Sequence, residues 1–299
     1  MRRQIRILFL VTVLLCAACR KQVKEESAPT PSPTVVTESA PPETIEPERI
    51  AEPVKEPETP FASMADYQVW IRDVGYPSGE MYAGDMSGSG VRYYTSKDAP
   101  GYDSGRIVIG DSRCVQLGIY QQRAAGNEFA VFGTWGGHYM NWDPYLPNEE
   151  FQTRVEDCFH AQIEARGTCD LYFYATVNDY DFRDNDNAER VEAALRWAEQ
   201  LASLTYEYEG RTYMPNMTVI GIAAGSRDGS VMSYTSEEFN RYEDAFNELL
   251  KEAVSSSEVL QDAEWTTVPE ILHDEIGFME DGLHYNDETL KALAEYMNR

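Results

Sequence analysis

The sequence predicts an α/β protein with three layers, α/β/α, in which helices cover both faces of a central parallel sheet. Two observations support this fold class. From residue 106 onward, apolar runs of strand length alternate with longer segments of helical periodicity, and such alternation is typical of parallel strands, which need a crossover connection. Polar residues that favour helix starts stand between the segments. We detect no internal repeat.

Strands are predicted where apolar, β-branched and aromatic residues cluster over a short stretch. These segments are Arg106–Ile109, Phe129–Phe132, Asp170–Val177, Met217–Ile222 and Thr266–Ile271. Helices are predicted where apolar residues recur at intervals of three and four. These segments are Cys114–Ala124, Glu149–Ala165, Ala188–Leu204, Ser236–Ser255 and Asp287–Asn298.

The helix starts carry capping signals. Asp186 with Glu189, and Thr235 with Glu238, have the spacing of a capping box, in which two side chains satisfy N–H groups of the first turn. The last helix is predicted to be capped by one of the two polar residues 286 and 287. These signals predict where each helix begins.

Residues 1–19 are predicted to be a signal peptide. Three arginines precede an apolar run from Ile7 to Leu15, which is too short to span a bilayer as a stable anchor. Cys19 follows two alanines and resembles the lipidated cysteine of a bacterial lipoprotein, although Cys16 stands where leucine is usual. Simple secretion and a retained anchor are the alternatives. We therefore expect an extracytoplasmic protein, lipid-anchored at the cell surface or secreted.

Residues 20–60 are predicted to be a disordered linker. Nine of the 15 prolines lie there, glutamate is frequent, and none of these residues is aromatic. Such a composition buries too little apolar surface to order the chain. We interpret 61–104 as an extension of unknown role, with a short helix at Met64–Ile71 and a strand at Val91–Tyr94, and 105–299 as the main domain.

The net charge of −26 limits the partners. A surface this acidic argues against nucleic acid and against anionic lipid headgroups or wall polymers. Neutral glycans and small uncharged molecules are more compatible, and the charge is also explained by solubility alone. Among the five cysteines, Cys114, Cys158 and Cys169 lie in the main domain. Cys158 and Cys169 are candidates for a disulfide in an oxidising compartment, and the paired and free states both remain alternatives.

Three motifs carry the functional signal. Gly110-Asp111-Ser112-Arg113 follows an apolar strand, Asn178-Asp179 follows another, and Asp281-Gly282-Leu283-His284 precedes the last helix. Open α/β sheets place their sites at the carboxyl ends of strands. A serine hydroxyl becomes a good nucleophile only when a base accepts its proton, and a histidine oriented by a carboxylate is such a base. Asn178 offers an amide that can donate to an oxyanion.

In order and wording these motifs resemble the SGNH hydrolases, also called GDSL-type esterases, from about Arg106 to the C-terminus. The resemblance implies a flavodoxin-like fold and a serine esterase without a metal or an organic cofactor. It further implies that Ser112 is the nucleophile, His284 the base and Asp281 its partner. Asn178 would then join the oxyanion hole with Gly137, which we select from the segment 133–139. Thr176 departs from the family, because a glycine usually stands there.

Other residues are candidates for the substrate. Arg113 puts a cation beside the nucleophile, and His138 and Tyr139 lie next to the candidate oxyanion glycine. Trp135, Tyr139 and Trp142 can stack on sugar rings, although core packing is the more common reason for such aromatics. His160 is interpreted as a packing or surface residue, and His273 lacks the spacing of the Asp-x-x-His motif.

The sequence therefore leads to three hypotheses. The first is an extracytoplasmic serine esterase that removes short acyl groups, such as acetyl, with an acylated glycan as one possible substrate. The second is an acyltransferase with the same machinery, in which a sugar hydroxyl replaces water. The third is a catalytically silent glycan-binding lipoprotein. We expect a membrane contact only through a lipid anchor on Cys19 and no nucleic-acid partner.

Overall fold

A computed structural model describes residues 55–57, 59–67, 79–82, 92–124, 126, 128–135, 149–176, 178, 187–222, 225–226, 230–231, 234–273 and 275–299. All of these belong to one compact unit, Ile50–Arg299. The predicted signal peptide and most of the predicted linker lie outside the described residues. No helix among the described residues is long and apolar enough to cross a bilayer.

A seven-stranded sheet forms the middle layer. In chain order its strands are β1 (Gly79–Tyr82), β2 (Arg92–Thr95), β3 (Arg106–Gly110), β4 (Ala130–Thr134), β5 (Asp170–Tyr174), β8 (Asn216–Ile220) and β11 (Glu264–Thr266). Their spatial order is β1-β2-β4-β3-β5-β8-β11. Two short hairpins lie apart from it, β6 (Tyr206–Tyr208) with β7 (Arg211–Tyr213), and β9 (Ser230–Val231) with β10 (Tyr234–Thr235).

Five neighbouring strands of the sheet, β4, β3, β5, β8 and β11, are parallel. Numbered among themselves along the chain, they have the spatial order 2-1-3-4-5, which is the flavodoxin-like order. The predicted fold class is therefore confirmed. In such a sheet the chain changes direction between the first and third strands, here β3 and β5, and ligands bind outside the carboxyl ends at this point.

The sheet also contains two antiparallel strands that the parallel prediction did not include. β2 pairs antiparallel with β4, and β1 pairs antiparallel with β2. The strand predicted at Val91–Tyr94 is present with a shift of one residue. Through these two strands, the extension 61–104 contributes to the main sheet.

Besides a 3-10 helix at Pro100–Asp103 and a helical turn over 64–67, the described part of the helix predicted at Met64–Ile71, the structure describes six α-helices, five of them with bounds close to the predictions. They are α1 (Ser112–Arg123), α2 (Glu149–Arg166), α3 (Ala188–Ala202), α4 (Ser236–Ser256), α5 (Val268–Leu272) and α6 (Asp287–Met297). Thr235 and Glu238 form the predicted capping box, and Asn286 caps α6 by accepting the N–H of Thr289. Asn187 is the N-cap of α3 and makes no side-chain capping bond, and Asp186 of the capping box expected there lies outside the described residues.

The strand predicted at Thr266–Ile271 is wrong after its first residue. Thr267 and Glu270 form a capping box, and Pro269 lies in the first turn of α5. Proline has no N–H for a strand ladder but is well suited to a helix start. Strand β11 therefore lies earlier, at Glu264–Thr266, and the apolar residues after it belong to a helix.

Alternate residues of the strands supply two separate cores. Ile107 and Ile109 on β3 face a core shared with α2, α3 and α4, whereas Val108 between them faces a core shared with α1 and α6. This is the period of two that a pleated strand requires when both of its faces are covered. The sheet therefore has a helix layer on each side.

Two glycines let α1 begin directly against the sheet. Gly110 of β3 and Gly133 of β4 are opposite each other in register. A Cβ atom on Gly110 would lie 2.5 Å from Cys114 Sγ, and one on Gly133 would lie 2.7 Å from the Val115 backbone nitrogen. Because any larger residue would push the helix away, these glycines fix the position of Ser112 at the carboxyl end of β3.

Candidate functional site

The nucleophile candidate lies at the sharp turn between β3 and α1. Asp111 is the N-cap of α1, has an extended backbone, and accepts the Arg113 N–H with its carboxylate at 3.0 Å. Asp111 therefore stabilises the turn from which Ser112 begins the helix. Ser112 is the first helical residue and is 5% exposed. Its backbone N–H belongs to the first turn, where N–H groups lack intrahelical acceptors and the helix dipole favours negative charge.

The base candidate lies on a hairpin-like loop, residues 278–285, which we call the base loop. Phe278 and Tyr285 form an antiparallel bridge, and the Met279 N–H donates to the His284 carbonyl at 2.8 Å. Gly282 has a φ of 69°, a left-handed conformation that costs glycine little. The base loop thus turns tightly enough to bring residue 281 back to residue 284.

Asp281, His284 and Ser112 form an unbroken line of hydrogen-bonded side chains. Asp281 Oδ2 lies 2.5 Å from His284 Nδ1, and His284 Nε2 lies 2.9 Å from Ser112 Oγ. The second oxygen, Asp281 Oδ1, accepts the backbone N–H groups of Leu283 and His284 at 2.9 and 3.0 Å. The structure therefore brings together three residues that are separated by up to 172 positions in the chain.

The Asp281 carboxyl group is held in its ionised form. Desolvation is the largest single influence and would raise its pKa, but the hydrogen bonds and the charge of His284 together outweigh it. Backbone N–H groups add to this effect, and the pKa falls to about 2. At neutral pH the ionised Asp281 carboxylate accepts a hydrogen bond from Nδ1–H of His284. This leaves Nε2 free to accept a proton from Ser112.

Trp135 contacts the base candidate directly. Its ring lies on the His284 imidazole with centroids 4.9 Å apart and planes 15° from parallel. Trp135 follows the last residue of β4, so it is at the carboxyl end of the strand beside β3. Trp135 was a candidate for sugar stacking, and the structure shows it stacked on His284.

Arg113 does not reach towards a substrate, which corrects the sequence prediction. Its guanidinium is 1% exposed and forms an ion pair with Asp111 at 3.2 Å, close to the Tyr285 ring. Burial alone would raise the pKa of Asp111, but the Arg113 charge and hydrogen bonds outweigh it and lower that pKa. Arg113 is therefore part of the buried support beneath Ser112.

The oxyanion candidates are only partly described. Asn178 is exposed after β5, and both its backbone N–H and its side-chain Nδ2 donate to Thr176 Oγ1 at 3.1 Å. Thr176, which stands where the family that the motifs resemble usually has glycine, is buried and supports this turn. Gly137, His138, Tyr139, Asp179 and Trp142 lie outside the described residues.

The remaining histidines and cysteines that the structure describes lie in other settings. His160 stacks on Tyr206 with centroids 4.0 Å apart, as a packing residue would, and His273 is the exposed C-cap of α5. Cys114 is buried, and desolvation raises its pKa well above the ordinary value. Cys158 and Cys169 are buried and free, so the structure does not join them.

Other candidate binding features that the structure describes lie away from this site or are lacking among the described residues. Among the described residues, no group of three or more His, Cys, Asp or Glu side chains is arranged to hold a metal ion. A cavity of about 640 Å³ lies at the opposite edge of the sheet, beside Asp170, Asn216 and Glu264 at the amino ends of their strands.

Sequence reasoning overlooked one residue close to the site, Gln116, because an isolated glutamine in a helix carries no signal.

No family model and no curated protein matches the chain. Two solved structures are similar to it in part. One, from Streptococcus pneumonia, is provisionally described as a platelet activating factor, with a TM-score of 0.41, 15% identity and coverage of 64% of this chain and 81% of that chain. The other is a carbohydrate acetylesterase family member from Sinorhizobium meliloti, with a TM-score of 0.38, 13% identity and coverage of 64% and 95%. Similarity at this level carries no argument about chemistry.

Proposed function

We propose that this protein is a serine ester hydrolase in which Ser112, His284 and Asp281 form the catalytic triad. The observation that carries the proposal is the line of side chains from Asp281 Oδ2 through the His284 ring to Ser112 Oγ, with separations of 2.5 and 2.9 Å. Its position agrees with the proposal, because the serine follows β3 at the point where a flavodoxin-like sheet changes direction.

In this mechanism Ser112 Oγ attacks the ester carbonyl carbon while His284 Nε2 accepts the hydroxyl proton. The tetrahedral intermediate collapses, the C–O bond to the alcohol breaks, and His284 returns the proton to the leaving oxygen. Water then attacks the acyl-serine by the same route and releases the acid. Asp281 keeps the ring in the required tautomer and stabilises the imidazolium.

The negative oxygen of the intermediate needs preorganised donors. The Ser112 backbone N–H is the first candidate, since it lies at the start of α1. The Asn178 amide and the Gly137 N–H complete the proposed oxyanion hole. In the described conformation the Asn178 amide donates to Thr176, so we propose that it exchanges this partner for the oxyanion when an ester is bound.

For the substrate we propose a short acyl ester, such as an acetyl ester, on an uncharged molecule such as a glycan. The net charge of −26 supports this choice, because it would repel anionic substrates. We further propose that the protein acts outside the cytoplasm, attached through Cys19. Support for this location comes from the basic and apolar start of the sequence.

The test is hydrolysis of p-nitrophenyl acetate by the full chain, beside Ser112→Ala and His284→Ala. We expect measurable turnover in the wild type and a loss of about 10³-fold or more in each variant, because the nucleophile and the base act as a unit. Circular dichroism establishes that each variant is folded.

A serine-reactive fluorophosphonate gives a second readout, since it should label the wild type at Ser112 and leave Ser112→Ala unlabelled. A folded wild type that neither hydrolyses the ester nor reacts with the probe would reject the proposal in favour of a binding protein. Transfer of the acyl group to an added sugar in excess of hydrolysis would identify an acyltransferase instead.

A further inference from the structure

Helix α1 carries a second residue that is directed at the catalytic region. Gln116 lies one helical turn after Ser112, on the same face, and its side chain is fully buried. Its amide contacts the base loop at Tyr285, the residue that follows His284. Gln116 thus links the helix that presents the serine to the loop that presents the histidine.

The contact uses both ends of the amide. The Tyr285 backbone N–H donates to Gln116 Oε1 at 3.2 Å, and Gln116 Nε2 donates to the Tyr285 carbonyl at 3.4 Å. Two bonds to the same residue fix both the distance and the orientation of that backbone unit. The amide therefore holds Tyr285 as a neighbouring strand would.

The pairing inside the base loop explains why Tyr285 needs this partner. Around the Phe278–Tyr285 bridge the hydrogen bonds run between flanking residues, from Met279 to His284 and from Asn286 to Gly277. Residues in such a non-hydrogen-bonded pair direct their own N–H and C=O away from the partner strand. Tyr285 is fully buried, so without Gln116 both of its backbone groups would lose the partners that buried polar groups require.

We propose that Gln116 is a positioning residue that sets the distance between His284 Nε2 and Ser112 Oγ. The inference rests on the proposed function. Arg113, on the same helix, lies 5.7 Å from the centre of the Tyr285 ring and adds a weaker contact, at 3.5 Å, to its hydroxyl. When Gln116 is removed, the loop shifts relative to α1, and a displacement of about 1 Å at the reacting atoms costs about 10²-fold in rate.

The chain contains a matched control, Gln121. It lies on α1, is buried to 2% exposure, and bonds a backbone in the same way. Its Nε2 donates to the Phe129 carbonyl at 3.4 Å, and its Oε1 accepts the N–H groups of Glu128 and Phe129. These partners precede β4 and lie away from the base loop. Gln121→Leu should therefore resemble Gln116→Leu in its loss of stability but not in its effect on catalysis.

The experiment compares Gln116→Leu, Gln116→Glu and Gln121→Leu in the full chain. For p-nitrophenyl acetate we expect Gln116→Leu to lower kcat by about 10- to 100-fold, with KM within about threefold of the wild type. Gln121→Leu should keep kcat within about twofold. Gln116→Glu retains the acceptor for the Tyr285 N–H, and its protonated form also donates to the carbonyl, so its kcat relative to the wild type should recover as the pH falls.

Hydrogen exchange provides a readout that does not depend on catalysis. Amides of residues 279–286 should exchange faster in Gln116→Leu than in the wild type, and amides near residue 129 should do so in Gln121→Leu. If both leucine variants lose kcat equally, or if folded Gln116→Leu keeps wild-type kcat or unchanged exchange at 279–286, the positioning role is overturned. If the wild type hydrolyses no ester, the proposed function fails, and the exchange data alone decide whether Gln116 holds the base loop.

Discussion

At the scale of single residues, Asp281 serves two purposes with its two carboxylate oxygens. Oδ1 accepts the backbone N–H groups of Leu283 and His284 and so shapes the base loop. Oδ2 lies against the imidazole and orients it. A single carboxylate therefore builds the turn and directs the base within it, and its charge contributes to stability as well as to the proposed chemistry.

This charge leads to a prediction about pH. The pKa of Asp281 is lowered from 3.8 to about 2 on folding, so the folded state favours the carboxylate. The resulting stability is fully present above the unfolded pKa and is lost as the pH falls through the folded pKa, between about 4 and 2. At pH 7 we expect the wild type to have a free energy of unfolding about 1 kcal/mol higher than Asp281→Asn. Solvent reduces the contribution, because the Asp281 side chain is 26% exposed.

Urea unfolding of both proteins at pH 7, 5 and 3 measures this contribution. The difference between wild type and variant should be equal at pH 7 and 5 and clearly smaller at pH 3. A difference that stays constant down to pH 3 would contradict the lowered pKa. Asp262→Asn, at an exposed position away from the site, serves as the control for removing one negative charge.

Predictions for single residues succeeded when the interacting residues are close in sequence and failed when they are far apart. Asp281 and His284 are three positions apart, so a local motif was sufficient to pair them. Arg113 was misassigned because its position beside Ser112 says nothing about the direction of its side chain, which turns inward to Asp111. Gln116 contacts Tyr285, 169 positions away, and Trp135 contacts His284 from almost as far along the chain. No local pattern indicates such contacts.

At the scale of elements, the segment at residues 55–67 is packed on α1 and α6. The Arg123 guanidinium lies 3.5 Å above the Phe61 ring and forms an ion pair with Asp287 at 3.0 Å. The Phe61 N–H and the Tyr67 hydroxyl also donate to Asp287, and Tyr67 is fully buried. Because Asp287 follows the base loop by two residues, this segment supports the end of that loop.

We predict that residues 55–67 contribute substantially to stability. A chain that begins at residue 68 should unfold with a free energy about 3 kcal/mol lower than a chain that begins at residue 55, because burial of one large apolar side chain stabilises by about 1.5–3 kcal/mol. Urea unfolding of the two chains measures the difference. Equal midpoints and slopes would show that the packed segment contributes nothing. Tyr67→Leu in the longer chain should reproduce part of the loss.

Sequence patterns predicted elements well where a helix carries its own start signal and a broad apolar face. The bounds of α4 and α6 agree with the prediction within one residue. The patterns failed where the structure of a segment depends on the neighbouring segment it packs against, or where the segment is very short. Strand β1 pairs with β2 at the edge of the sheet, and α5 contains only five residues, too few for a periodic pattern to distinguish a helix from a strand.

At the scale of the whole molecule, the net charge of −26 opposes the compact state through repulsion among carboxylates. Salt weakens this repulsion, since the Debye length falls from about 30 Å at 0.01 M to about 8 Å at 0.15 M. Raising NaCl over this range should increase the Tm by several degrees, which calorimetry or a fluorescence melt can detect. An osmolyte of equal osmolality should give a smaller change, and a Tm that is unchanged or falls with NaCl would contradict the argument.

The arrangement of strands in the sheet is also a property of the whole molecule. The sequence predicted that the sheet is parallel but did not predict which strands are neighbours. The alternation of strands and helices indicated a parallel sheet, and the motifs indicated its carboxyl edge. Which strands are neighbours depends on how helices pack on the two faces, so the antiparallel pair at the edge became visible only in the fold.

The distance of 172 positions between Ser112 and His284 has a consequence for biosynthesis. On the ribosome, the serine is made long before the base, and the base loop is fixed only after α6 has buried Leu290, Leu293 and Met297 in the core. A nascent chain would therefore hold a chemically ordinary hydroxyl throughout elongation and gain its proposed reactivity in the final folding step. A chain terminated before residue 284 would lack both the proposed base and the core residues of α6.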